Sequence, residues 1–451
     1  MATVPGLVRK VMGFPTAAAV IVTNMIGTGV FTSLGFQLAG LSSPAAILLL
    51  WVLGGVTALA GAAVYAELAA VYPRSGGEYN FLGRIYHPLA GFLAGWLSAT
   101  VGFAAPIALS AKAFSGYIGR VVPWLHSDLT AVGCIAVLAL IHSVSVRRGA
   151  LFQNVITALE ILVIVVLIGC GLQAPNPQPL APLAGAGALR EILSAPFAVS
   201  LVYVFFAYSG WNAATYITGE IRNPGRDVPR ALILGTLLVT ALYVLLNFTF
   251  LYTAPAGELR GVLEVAHVSA SHIFGPAGAA IMSTILALAL LSSVSGMTLS
   301  GSRIPRVMAE DHRVFRWLQP LTRRGAPARA VSLQAAIAIA LVLSGTFETI
   351  LTYIGFTLSV CTCLAVAGLF VVRARGLAPA GGYRCWGYPL TPIVFLLLNG
   401  WMLVYTLYAR PVQSLLGLAT VAAGIPVYAW SRRAEARAAG PVAAGPAAAD
   451  P

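Results

Sequence analysis

Apolar runs of about 20 residues recur along this chain from one end to the other, each long enough to cross the hydrocarbon core of a bilayer. Nothing constrains the fold more. Inside hydrocarbon every backbone N–H and C=O needs an internal partner, so such runs must be helices. Twelve spans can be read: 14–38, 43–71, 88–119, 128–143, 150–172, 191–219, 230–253, 276–302, 329–346, 348–372, 388–408 and 414–431. Length alone would suggest two or three soluble domains, but hydrophobic residues make up 59% of the 451, charged residues only 9%, and mean hydropathy is +0.86.

The net charge of +13 would raise the question of nucleic acid in a soluble protein. Here the charges follow the spans. Of 27 Lys and Arg, only Arg120, Arg190, Arg260 and Arg410 fall in loops on one side, and Lys112 lies within the third span. The rest sit on the other side, which the positive-inside rule assigns to the cytoplasm together with both termini. No nucleic-acid partner is needed to explain the excess. Arg9 and Lys10 precede a span too long for the core of a cleavable signal peptide. The expected location is a cell (inner) membrane, crossed many times. Residues 432–451, rich in Ala, Pro and Gly, read as a disordered cytoplasmic tail.

Two spans are interrupted by residues that weaken helices. The first contains Ile26-Gly27-Thr28-Gly29, and each glycine there costs about 1 kcal/mol of helix stability relative to alanine. Close packing of helices through small residues would account for one such stretch. The sixth span, however, carries Phe206-Ala207-Tyr208-Ser209-Gly210-Trp211-Asn212 at a comparable depth. The breaks lie five spans apart, and an odd number of crossings inverts the second set of five relative to the first. Paired interruptions in inverted repeats point to the binding site of a secondary transporter. The free N–H groups of a half-helix N-terminus suit a carboxylate, and unwound carbonyls suit an ammonium, so a zwitterion is the expected solute.

The residues around these breaks resemble the amino acid–polyamine–organocation superfamily, and within it the L-type amino acid transporter-like group. The resemblance rests on Gly27-Thr28-Gly29-Val30-Phe31, on Tyr72-Pro73-Arg74-Ser75-Gly76-Gly77-Glu78-Tyr79, and on the stretch from Phe206 to Asn212 followed by Glu220 and Asn223-Pro224. Ser302-Arg303, Met308-Ala309, Asp311 and Gly325-Ala326-Pro327 add to it, as do Tyr383-Arg384 and Trp386-Gly387-Tyr388-Pro389. It implies an all-α polytopic membrane protein of the leucine-transporter type. Inverted repeats would occupy 14–172 (spans 1–5) and 191–372 (spans 6–10). A cytoplasmic N-terminus at 1–13, an extracellular loop at 173–190 and two peripheral spans at 388–431 would complete it.

The resemblance also implies an amino acid substrate whose carboxylate meets the backbone of Gly27, Thr28 and Gly29. Its amino group would meet carbonyls near Ile26, Phe206, Ala207 and Ser209, beside Gly210, with the Phe206 ring as gate. Ala213, Ala214 and Thr215 are small and no acidic residue lies near either break in sequence, which favours a neutral amino acid over a cationic one or a polyamine. Animal members of the family pair with a heavy chain through a cysteine between spans three and four. The loop from Arg120 to Ser127 has none, so no obligatory heavy-chain subunit is expected.

Ionisable groups within spans each ask for an account, at about 3 kcal/mol for a charge at a helix centre. Glu67, near the cytoplasmic end of span two, could snorkel or pair with Arg74, and Lys112 could reach the outer interface. Glu160 lies deep in span five, where many family members carry lysine. It reads either as a proton-binding group that couples transport to pH, or as an ionised structural group paired with Lys112 or an inner arginine. A sodium requirement stays open, with Ser292 and Ser293 of span eight as partners. By the same resemblance, Glu258 to His272 would be an outer loop packing over the substrate's approach.

The five cysteines and six histidines make no metal spacing, and neither cofactor nor metal is expected. No nucleophile–base set suggests an enzyme. The expectation is a secondary carrier, exchanger or proton-coupled, with a passive channel as the alternative from another class.

Overall fold

Buried on one side by neighbours and on the other by acyl chains, the apolar runs can satisfy their backbones only locally, and they form helices. The computed structural model describes residues 12–144, 149–180, 185–322, 326–377 and 382–439. Arg9, Lys10, Arg147, Arg148, Arg323, Arg324, Gly325 and residues 440–451, used above for topology or resemblance, lie outside the described residues. The first span is two helices, α1 (Phe14–Met25) and α2 (Thr28–Gly40), and the second is α3 (Pro44–Val71). A short α4 (Glu78–Ile85) leads into the third span, made of α5 (Pro88–Leu97), a π-helical turn at Ser98–Gly102, and α6 (Ala104–Gly119). Spans four and five are α7 (Asp128–Val144) and α8 (Gly149–Gly171).

After α9 (Gly185–Ile192), the sixth span runs as α10 (Ala195–Tyr208) and then a 3-10 segment, Ala213–Glu220. α11 (Pro224–Thr253), α12 (Ala256–Leu259) and α13 (Val265–Gly301) follow, the last kinked at Gly275. The chain closes with α14 (Arg303–Asp311), α15 (Ala328–Ser344), α16 (Phe347–Ala374), α17 (Leu390–Ala409) and α18 (Pro411–Ala439). Among the described residues nine helical stretches are long and apolar enough to cross a membrane. Three shorter apolar helices, at Asp128–Val144, Ala158–Gly171 and Ala328–Ser344, fill the remaining places of the twelve read from sequence.

Packing partners repeat in the two halves. α3 packs on α11, α6 on α13, α7 on α15 and α2 on α10, which are the pairs that exchange when spans one to five are swapped with six to ten. α8 lies against α11 and α13, and its counterpart α16 lies against α3 and α6. Trp51, Tyr65, Tyr117, Tyr208 and Tyr243 are the largest side chains fully inside. Leu129, Leu140, Leu397 and Leu415 stand exposed on the rim, where acyl chains rather than water would cover them.

Several expectations change. Glu67 does not pair with Arg74. It is fully buried and takes two hydrogen bonds from Arg373, at 3.0 and 2.7 Å, and one from the Cys385 backbone N–H at 2.6 Å. Arg74 instead meets Asp311. Lys112 reaches Asp128, the first residue of α7, at 2.6 Å and is not the partner of Glu160. The stretch Glu258 to His272, expected as loop, is largely helical, and the last helix continues to Ala439.

Candidate substrate and coupling site

α1 stops where glycine makes stopping cheap. Ile26 donates its N–H to Val22 O at 2.9 Å and then turns extended, Gly27 is extended too, and α2 restarts at Thr28 without a side-chain cap. The first N–H groups of α2 therefore have no intrahelical acceptor and form the positive end of its dipole. The second interruption begins one turn later than the sequence suggested. Phe206 and Ala207 still belong to the last turn of α10, and the chain leaves the helix at Ser209. Gly210 follows with φ +101°, a left-handed conformation that a β-carbon would strain.

The two interruptions touch. A β-carbon on Gly29 would lie 2.5 Å from the α-carbon of Ala207, so only a bare glycine lets α2 come this close to α10. On the other side, a β-carbon on Gly210 would lie 2.5 Å from the carbonyl oxygen of Asn24. One side chain outside both breaks ties them together. The buried Tyr243 of α11 donates its hydroxyl to Met25 O and, at 3.2 Å, to Ala207 O.

A cavity of about 660 Å³ reaches these breaks from one end of the bundle. Phe206, Ser209 and Gly210 line it, together with Asn24 of α1 and Ser98 of the π-helical turn. Gly27, Thr28, Gly29, Ile26 and Ala207 are not on its wall; they sit behind it, with Thr28 only 4% exposed. The cavity continues past Arg74, Ser75, Glu220 and Met308. That end also holds Met12, which pairs with Glu220 and Arg222, and the end of α18, where Glu435 meets His312.

The other end is sealed. Gly261 N–H donates to Gly35 O at 2.8 Å, laying the segment after α12 on α2, and Tyr117 donates to Phe31 O at 2.8 Å. Phe36 stacks on Phe347 with ring centres 5.6 Å apart, and Tyr203 and Arg410 both hydrogen-bond Glu348, at 2.8 and 2.6 Å.

Of the coupling candidates, Ser293 comes within reach of the first break. Thr28 Oγ1, Ser110 Oγ and Ser293 Oγ follow one another at 3.4 Å, joining α2, α6 and α13. Ser292 is fully buried on the same helix. Glu160, 4% exposed, stands on α8 within electrostatic range of Tyr243.

Residues 12–427 match the profile of the amino acid permease family. The chain belongs to that family. Among its relatives, the serine/threonine exchanger SteT of Bacillus subtilis (strain 168) is 28% identical, over 93% of the permease and 96% of the relative. The large neutral amino acids transporter small subunit 2 of Mus musculus is 28% identical, covering 93% and 80%. The b(0,+)-type amino acid transporter 1 of Homo sapiens is 29% identical, covering 81% and 76%.

Three site residues of the permease escaped sequence reasoning. Tyr243 and Ser110 sit on uninterrupted spans where nothing but the fold marks them. Glu78 corrects an expectation outright: an acidic residue does lie by the second break. Its carboxylate takes Asn212 Nδ2 at 2.6 Å, Tyr65 OH at 2.9 Å and Tyr216 OH, and it lines the same cavity. The signal was present in Gly76-Gly77-Glu78, but distance along the chain hid it.

Proposed function

We propose that this permease carries neutral L-amino acids across a cell inner membrane by alternating access, as an exchanger or coupled to protons, with both termini cytoplasmic. The observation that carries the reading is the crossing of two interrupted helices, at Gly29 and Ala207 and at Asn24 and Gly210, at the closed end of a cavity of about 660 Å³. That volume suits a small organic solute. In the proposed binding step the cavity wall opens toward the first break; the free N–H groups at Gly27, Thr28 and Gly29 then take the carboxylate, and the carbonyls of Ile26, Phe206, Ala207 and Ser209 take the ammonium. Phe206 covers the solute and excludes water.

Neutral substrates remain favoured although Glu78 is close. Both of its oxygens are already occupied by neutral donors, so a cationic side chain would have to displace them. Transport without a heavy chain is part of the reading, supported by the cysteine-free loop from Arg120 to Ser127. Glu160 is the proposed proton carrier, with Ser292 and Ser293 as the residues to test for a cation.

The decisive experiment is purified protein in liposomes, with labelled alanine, leucine and arginine, and with internal substrate and pH gradient varied separately. Trans-stimulation without pH response means exchange, and accumulation into empty liposomes driven by the gradient means symport. Arginine uptake exceeding that of alanine and leucine would overturn the neutral assignment. Uptake proportional to concentration without saturation or counterflow would mean a channel.

A further inference from the structure

Among the described residues the buried acidic side chains are Glu67, Glu78, Glu160, Asp227 and Glu264, and Glu78 differs from the others in what surrounds it. Glu67 is held by Arg373 and Glu264 by Arg120. Glu78, 6% exposed, is held by three neutral donors on two different segments: Tyr65 of α3, and Asn212 and Tyr216 on either side of the start of the 3-10 segment. A carboxylate buried away from water is tolerated when donors replace its hydration, and each donor is then fixed by it. Tyr65 also meets Trp211 edge to face, with ring centres 4.7 Å apart, so the first residues after the second break are gripped from both sides.

The loop that carries Glu78 lies directly on that segment. Gly77 has φ +50°, and a β-carbon there would lie 2.9 Å from the Tyr216 ring. Ser75 Oγ accepts from Gly219 N–H at 3.0 Å, and Gly77 N–H reaches Thr215 O at 3.4 Å. The loop's other side faces α14 across the mouth of the cavity. Arg74 contacts both Asp311 oxygens, at 3.1 and 3.3 Å, and Tyr79 OH meets Asp311 at 2.6 Å. Those contacts are exposed, with Arg74 47% and Asp311 33% accessible, whereas the Glu78 carboxylate, on the cavity wall, is only 6% exposed. Exposed ion pairs exchange readily with water, and a buried, fully hydrogen-bonded carboxylate does not.

We infer that Glu78 is a positioning residue for transport: it locks residues 212–220, the inner half of the second broken helix, to the loop 73–79. The two then move as one body when the cavity mouth changes, and the Arg74 and Tyr79 contacts to Asp311 are the ones that break and reform. The inference rests on the alternating-access reading above. Its consequence is kinetic: weakening the Glu78 lock slows translocation without weakening binding.

The test uses the full-length protein in liposomes with a labelled neutral amino acid, alongside equilibrium binding in detergent. Glu78→Gln replaces one acceptor by a donor, and is expected to lower the maximum exchange rate about tenfold while KM and the binding constant stay within about twofold. Glu78→Gln with Asn212→Asp restores a donor–acceptor pair with the roles reversed, and should recover much of the rate. Asp311→Asn should raise the rate at which a maleimide reaches Cys361, which lines the cavity, in a protein whose other four cysteines are alanine. Melting temperature is read for each variant. An unchanged rate in Glu78→Gln overturns the inference. So does a rate loss that follows the folded fraction, or one that the double variant does not relieve. If wild-type protein shows no saturable exchange at all, it is the transport reading that has failed.

Discussion

Replacing Gly29 by alanine adds one methyl group at the point where the two broken helices cross. Its carbon would sit 2.5 Å from the α-carbon of Ala207, 2.6 Å from its β-carbon and 3.2 Å from its nitrogen. Carbon atoms in contact rest at about 3.5–4.0 Å, so α2 and α10 must part by about 1 Å. No rotamer relieves this, because the atoms met are backbone and a β-carbon. Overpacking of this kind costs about 1–3 kcal/mol, and the gain in helix propensity from Gly to Ala returns about 1 kcal/mol. The melting temperature should therefore move little. Function should move much more, since misplacing binding groups by about 1 Å can lower a rate about 100-fold. Gly133→Ala and Gly400→Ala serve as controls, because a β-carbon at either meets nothing within 4 Å. The assay is initial exchange rate per folded transporter in liposomes. A folded Gly29→Ala protein with a rate within about tenfold of wild type would refute the idea that this close approach builds the site.

Glu160→Gln should abolish any response of uptake to an imposed pH gradient while leaving counterflow measurable; unchanged rate and unchanged pH response in liposomes would end the coupling proposal. Tyr243→Phe removes the hydroxyl shared by Met25 O and Ala207 O. A lost hydrogen bond at a buried carbonyl is worth about 1–3 kcal/mol, so apparent affinity should fall about 5- to 150-fold, read by equilibrium binding. Arg373→Met strands the fully buried Glu67 carboxylate and should destabilise the protein by about 3–5 kcal/mol, seen as a lowered unfolding midpoint in detergent. Phe206→Ala should raise KM more than it lowers the maximum rate, if the ring closes over bound solute; an unchanged KM would leave the ring as packing alone.

The spans and both interruptions were legible in the sequence because membrane burial leaves one solution for an apolar run, and because glycine within such a run is a local signal. Ile26 to Gly29 and Ser209-Gly210 could be found without any knowledge of neighbours. What joins them could not. Tyr243 is an ordinary aromatic residue in an unbroken span, and its role comes from facing two carbonyls set free by other helices. Glu78 lies far from Asn212 along the chain and meets it only because a glycine pair lays the loop flat on residues 215–216. Glu67 was misassigned for the same reason: Arg74 is close along the chain, but Arg373 comes from the far end of α16. Local chemistry reads from sequence, whereas pairings across the bundle depend on packing between helices that no single segment specifies.

On the proposed reading, the buried carboxylates also separate the groups that hold the bundle from Glu160, the proposed proton carrier. A side chain that must bind and release a proton during each cycle cannot have its charge pinned by a fixed cation, because the cation would stabilise one protonation state throughout. Arg373 on Glu67 and Arg120 on Glu264 do pin theirs, and three donors saturate Glu78. Among the described residues no basic side chain forms an ion pair with Glu160, and Lys112, a partner considered from the sequence, is committed to Asp128. Glu160 also has an electrostatic route to the site, because its charge is felt at Tyr243, whose hydroxyl holds the carbonyls of both broken helices. A change of charge there alters what the Tyr243 hydroxyl faces, and so how firmly Met25 O and Ala207 O are held together. Protonation and the geometry of the crossing would thus be linked through one hydroxyl, and the Tyr243→Phe protein should lose pH response together with affinity.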